Sequence, residues 1–144
     1  MPRALVDTTV LFAAAYRRDS AHEDALPILQ GIDTASLPEA VLIEYVLAET
    51  LNGLTTHAGH DAATDFLDRV EANARFHIDS LTTDEFTTAK TLFRQYERFS
   101  FVDAAIVAYM QAEGHGYLYA FDDDFDAAPD VYRLDTATNP YQPE

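Results

Sequence analysis

The stretch ALVDTTVL, residues 4–11, carries the first sign of the fold. Ala4–Val6 is a short apolar run with the length of a buried strand, and it stops at Asp7; Thr8 or Thr9 can then cap a helix over Thr8–Arg17. A carboxylate therefore follows the C-terminal end of a strand. The same order recurs late in the chain, where Gly114 and Gly116 close a helix, Tyr117–Phe121 reads as a strong strand, and Asp122, Asp123 and Asp124 follow at once.

Between these two points the pattern alternates. A helix is expected over Ala21–Gln30, a brief strand near Thr34–Leu37, and a helix over Glu39–Thr55 opened by Pro38 and apolar on most sides, with Val41, Leu42, Ile43, Val46, Leu47 and Leu51. After Gly59, His60–Asn73 has helical spacing and Phe76–Ile78 reads as a strand. Thr83–Arg98 is expected as a helix with Phe86, Ala89, Leu92, Phe93 and Tyr96 on one core-facing stripe. Ser100 precedes a nearly all-apolar helix, Phe101–Glu113, and a last strand is expected at Val131–Leu134. Strands alternating with helices, with no hairpin signal, predict an α/β fold: a three-layer α/β/α sandwich around a mostly parallel sheet. One domain is expected over residues 1–135, with 136–144 as an extended or frayed tail. In such sheets ligands bind beyond the carboxyl ends of the strands, where Asp7 and the Asp122 cluster fall.

Charge is the unusual feature of the composition. Asp and Glu number 25 against 9 Lys and Arg, a formal net charge of -16, and Lys90 is the only lysine. The acids are spread along the chain rather than gathered in a tail. Self-repulsion of this size is costly in dilute buffer and heavily screened in molar salt, where the Debye length is about 3 Å. The composition resembles that of an extreme halophile's protein, the rival account being an acidic surface that meets a basic partner. No apolar run reaches the length of a membrane span, and MPRALVDTTVLF lacks the parts of a signal peptide, so a cytoplasmic protein is expected. The absence of cysteine excludes disulfides, thiolate zinc and a cysteine nucleophile.

Against so acidic a background most carboxylates are solvation. Four segments rise above it. Asp7 follows a strand, where it can cap the next helix; Asp103 sits in the first turn of an apolar helix, where it can partner Ser100. Glu49 follows Leu42 and Val46 on a helical stripe, with Glu44 competing from another side of the same helix. Asp122 and Asp124 share one side of their loop, leaving Asp123 to solvent. Carboxylates converging from distant segments repel unless a cation joins them. Hard divalent ions, Mg²⁺ or Mn²⁺, accept such an all-oxygen donor set, and metal-assisted hydrolysis of a phosphodiester is its natural use.

LVDTTVL at 5–11, VLAETLNGL at 46–54, SFVDAAIVA at 100–108 and FDDDF at 121–125 together resemble the PIN-domain ribonucleases, especially the VapC-type toxins of toxin–antitoxin pairs. The ordered set spans about residues 4–134. The resemblance implies a PIN-like α/β/α sandwich, an endoribonuclease acting on RNA, and an acidic site of Asp7, Glu49, Asp103 and Asp122 that binds Mg²⁺ or Mn²⁺, with Asp124 as an additional metal ligand. It selects Glu49 over Glu44. It further implies a cognate antitoxin protein and a homodimer, and it places Thr8 and Ser100 near the site. Arg17, Arg18, Arg94 and Arg98 are candidate phosphate contacts.

Other chemistry finds little support. The five histidines show no HExxH spacing, and Gly59 interrupts the helix between His57 and His60. No GxSxG, P-loop or GxGxxG is present. A haloacid-dehalogenase-like site would want an acid at Thr9, and a receiver-like site a lysine after a late strand. Core packing accounts for Phe86, Phe93, Tyr117 and Tyr119 without a stacking platform for nucleic acid. The alternative class is a catalytically silent PIN-like module that binds a protein partner.

Overall fold

A computed structural model of the chain describes residues 2–142. Its elements run β1 (Arg3–Val6), α1 (Thr8–Ala15), α2 (His22–Asp33), β2 (Glu39–Ile43), α3 (Glu44–Ala58), α4 (His60–Ala72), β3 (Phe76–Asp79), α5 (Thr83–Gln95), α6 (Phe101–Glu113), β4 (Tyr117–Tyr119) and β5 (Tyr132–Leu134). All the strands pair in parallel, in the order β3-β2-β1-β4-β5. Among the described residues, no helix is long and apolar enough to cross a membrane.

The strand order sets where a ligand can bind. From β1 the chain steps outward to β2 and β3, then returns to the other side of β1 for β4 and β5. The direction of winding reverses between β1 and β4, and right-handed crossovers then send α1–α4 to one face and α5 and α6 to the other. Such a reversal opens a crevice at the carboxyl ends of the two strands. Leu5 and Val6 lie in register with Leu118 and Tyr119, so Asp7 and the loop after β4 emerge side by side. The sheet is a buried layer: Ala4, Leu5, Leu42, Ile43, Leu118 and Tyr119 are fully enclosed, as is Ile106 of α6.

The region around Pro38 differs from the sequence expectation. Residues 34–37 form no strand; they turn, with Ala35 at φ 67°, and Leu37 N–H donates to the Gly31 carbonyl. The strand is Glu39–Ile43, expected as the start of a helix, and α3 begins only at Glu44. Residues 40–43 are apolar because they are covered on both faces, between β1 and β3. A short, fully apolar run has the same periodicity in a buried helix and in a parallel strand.

Helix α5 also departs from expectation. It stops at Gln95, and the stripe it buries is Glu85, Ala89 and Leu92. Phe86 and Phe93, expected in the core, flank that stripe at 37% and 46% exposure and pack on Phe101. Tyr119 is buried as expected, and Tyr117 is half-buried. After β5 the chain crosses back over the fold: Tyr119 Oη donates to the Thr138 carbonyl at 2.7 Å and Tyr141 Oη to the Arg3 carbonyl at 2.8 Å. Residues 143 and 144 of the expected tail lie outside the described residues.

A candidate metal centre at the strand ends

Asp7 leaves β1 in extended conformation and caps α1, its Oδ2 accepting the Thr9 N–H at 3.3 Å and the Thr9 hydroxyl at 2.7 Å. Its own N–H donates to the Tyr119 carbonyl at 2.9 Å. The Thr9 hydroxyl in turn accepts the Phe121 N–H at 3.2 Å. One hydroxyl thus ties the acid after β1 to the backbone that leads into Asp122. Asp7 is only 3% exposed, and burial raises its pKa above the ordinary value against the lowering effect of the Thr9 hydrogen bonds.

Asp103 enters from the opposite layer. It closes a capping box with Ser100 at the start of α6 and is 8% exposed. Burial, with the Asp7 and Asp122 charges adding, pushes its pKa up to about 6. Asp122 caps the 3-10 turn Asp123–Ala127, its Oδ1 accepting the Asp124 N–H at 2.9 Å. Asp124 is raised as well, by desolvation and then by Asp122. The capping roles of Asp7 and Asp103 are therefore real, and both residues face the cleft as well.

Asp103, Asp122 and Asp124 each offer an oxygen, and these atoms lie within 4.8 Å of one another. Asp7 and Glu49 stand outside that trio but line the same cleft, of about 600 Å³. Glu49 is held there by Thr8, whose Oγ1 donates to Oε1 at 2.8 Å. The stripe expected to place it does not exist, since Leu42 belongs to β2, and Val46 is buried while Glu49 is exposed. Glu44 accepts instead from Ser80 beyond β3. Asp123 is exposed. Arg98 lines the cleft, its Nε 3.9 Å from Asp124 Oδ1; Arg17, Arg18 and Arg94 are exposed and do not line it.

The donor set fits a hard divalent cation. All the groups that converge are carboxylates, with no imidazole among the trio, and two of the three have pKa values raised by desolvation first and by the neighbouring acids in addition, Arg98 offsetting only part of this at Asp124. Five further residues of the cleft were not singled out as site residues in the sequence: Thr9, Phe12, Asn52, Gly53 and His57. Helical spacing from Glu49 would have found three of them, since Asn52, Gly53 and His57 follow it on one side of α3.

An open parallel α/β sheet with a carboxylate cluster at its point of winding reversal defines a class of α/β/α protein with an acidic ligand site at the strand ends. The PIN-domain family model matches residues 4–131, and the chain belongs to that family. It is similar to the crystal structure of Mycobacterium tuberculosis VapC20, a sarcin-ricin loop cleaving toxin, at 32% identity and a TM-score of 0.76, covering 89% of this chain and 96% of that one. The fold is shared with a toxin–antitoxin complex from Klebsiella pneumoniae, at 20% identity and a TM-score of 0.62, covering 94% of this chain and 98% of that one. It is shared too with VapBC2 from Rickettsia felis bound to a DNA fragment from their promoter, at 17% identity and a TM-score of 0.67, covering 92% and 98%. A comparison with curated protein sequences finds no match.

Proposed function

We propose that this chain is a metal-dependent endoribonuclease, the toxin of a type II toxin–antitoxin pair, hydrolysing RNA phosphodiester bonds in the cytoplasm with Mg²⁺ or Mn²⁺. The observation that carries the proposal is the convergence of Asp103, Asp122 and Asp124 beside Asp7 in a cleft at the strand ends. The likeness to VapC20 over nearly the whole of both chains supports RNA as substrate. A bound ion supplies the means to activate a water and to stabilise charge on the phosphoryl oxygens.

The chain's own residues provide positioning. Asp103, Asp122 and Asp124 would hold the ion, with Asp7 and Glu49 completing the acidic ring. Ser100 fixes the Asp103 carboxylate, Thr8 the Glu49 carboxylate, and Thr9 the spacing between Asp7 and the β4 loop. Arg98, alone among the cations in lining the cleft of the described residues, is placed to meet a phosphate. A cognate antitoxin and a second copy of the chain are the partners this reading carries, the antitoxin supported by the toxin–antitoxin assemblies that share the fold.

The test is cleavage of a mixed cellular RNA pool in molar KCl with Mn²⁺ or Mg²⁺, with and without chelator, for wild type and Asp103→Asn. Cutting that needs metal and is lost in the variant supports the proposal. An intact pool and an intact panel of structured RNAs, with a folded and metal-loaded wild type, would favour the silent interaction module.

A further inference from the structure

The cleft has two unlike walls. Acids occupy one end. Beyond Glu49 on the same side of α3 come Asn52, Gly53 and His57, and α1 contributes Phe12 one turn beyond Thr8. The Phe12 and His57 rings lie 5.7 Å apart at 66°, and Tyr16 closes the group at 5.3 Å from Phe12 and 5.7 Å from His57. Gly53 permits this wall, because a Cβ there would meet the Phe12 ring at 3.0 and 3.1 Å. Neither the Asn52 amide nor the His57 imidazole has a hydrogen-bond partner among the described residues, and both residues are exposed.

This wall bears on how so acidic a chain could hold a polyanion. With 25 acids against 9 cations, the long-range field opposes RNA, and phosphate contacts lose their strength as salt rises. Stacking of a base on an aromatic ring does not depend on charge, and single-stranded RNA presents unstacked bases for it. With a phosphate at the acids, an adjoining nucleoside can lie along the same cleft, whose volume of about 600 Å³ over its whole lining suits a small-molecule-sized group. There it meets the aromatic wall and a free amide able both to donate and to accept.

Resting on the ribonuclease reading above, we propose that the Phe12–His57 wall is a nucleobase subsite: an unpaired base next to the scissile phosphate stacks on His57, and Asn52 hydrogen-bonds its polar edge. Substrate choice then depends on a single-stranded base at this position, and binding persists in high salt.

The test uses short single-stranded RNA oligonucleotides differing only in the bases flanking one cleavage site, in molar KCl with Mn²⁺. His57→Ala should raise KM about tenfold, more than it lowers kcat, and His57→Phe should restore it. Asn52→Ala should flatten the preference among the four bases. An unaltered KM in His57→Ala, or His57→Phe as impaired as His57→Ala, would overturn the proposal. Anisotropy of a labelled oligonucleotide with the chelated protein separates this inference from the nuclease reading. If wild type cuts nothing but binds the oligonucleotide, and His57→Ala weakens that binding about tenfold, the subsite stands and the nuclease reading falls; equal binding by both removes the subsite.

Discussion

Ser100 and Asp103 hold each other: the Asp103 carboxylate accepts the Ser100 N–H at 3.0 Å, and the Ser100 hydroxyl accepts the Asp103 N–H at 3.1 Å. The reciprocal pair starts α6 and fixes the direction of a carboxylate that burial would otherwise drive out. The same side chain starts a helix and lines the acidic cleft, which costs stability when its charge is unbalanced.

That cost gives the first prediction. The folded pKa of Asp103 is raised to about 6 from its ordinary 3.8, so between these values the metal-free native state keeps a proton that the unfolded chain has released. The contribution to stability is full below about pH 4 and lost as pH climbs through 6. Asp103→Asn, which retains an acceptor for the Ser100 N–H, should abolish cleavage yet stabilise the chelated protein at pH 8, by on the order of 1 kcal/mol after solvent screening. Thermal melts of both proteins from pH 5 to 8 check it; the variant should show the flatter profile.

The same proton competes with metal. Mn²⁺ affinity measured by calorimetry should be nearly level above pH 7 and fall roughly tenfold per pH unit below about 6, as Asp103 protonates. An affinity unchanged from pH 7 to 5 would remove Asp103 from the ligand set.

Glu49 is exposed on α3, and the Thr8 hydroxyl at 2.8 Å is its hydrogen-bond partner among the described residues. Thr8→Val should lower kcat about tenfold with little change in Tm, and Thr8→Ser should recover most of the loss. Loss of stability in Thr8→Val comparable to that of a core substitution would assign the bond to folding instead.

Thr9 has the more structural role. Its hydroxyl donates to Asp7 at 2.7 Å and accepts from Phe121 N–H at 3.2 Å, linking the ends of β1 and β4. Thr9→Val removes both bonds at constant shape and should destabilise the protein by about 1–3 kcal/mol, since it strips a partner from a buried carboxylate. Denaturant unfolding measures this, with Thr9→Ser expected near wild type.

The sequence shows most of the sheet, with Asp7 and the Asp122 cluster, because these are local signals: apolar runs cut short by aspartate at Val6 and Phe121. Glu49 is separated from Glu44 only by the family resemblance, since the stripe spacing that points to it runs across the end of β2. It hides β2, since the apolar run at 40–43 is buried on both sides and a parallel strand of that kind lacks alternation. It misplaces Phe86 and Phe93 because the buried stripe of α5 is narrow and includes Glu85, whose carboxylate closes a capping box with Thr82. The stacking wall at Phe12 and His57 needs α1 to approach α3 at Gly53, a tertiary contact that spacing within either helix does not reveal.

The net charge of -16 gives the last prediction. The ion pairs that cross the fold draw on few cations, as with Arg75 and Glu39 or Arg133 and Asp126, so most acids face solvent without a neutralising partner. Raising KCl from 0.1 to 2 M shortens the Debye length from about 10 Å to under about 3 Å and removes most of that repulsion. Tm should climb steeply at first and then level off, by about 10 °C or more in total if even 2–3 kcal/mol of repulsion is relieved. An uncharged osmolyte at equal osmolality should reproduce only a small part of the rise, because it leaves the charges unscreened. A protein equally stable in dilute buffer would show instead that its acids are already compensated within the fold, and the basic-partner account of the composition would take the place of the halophilic one.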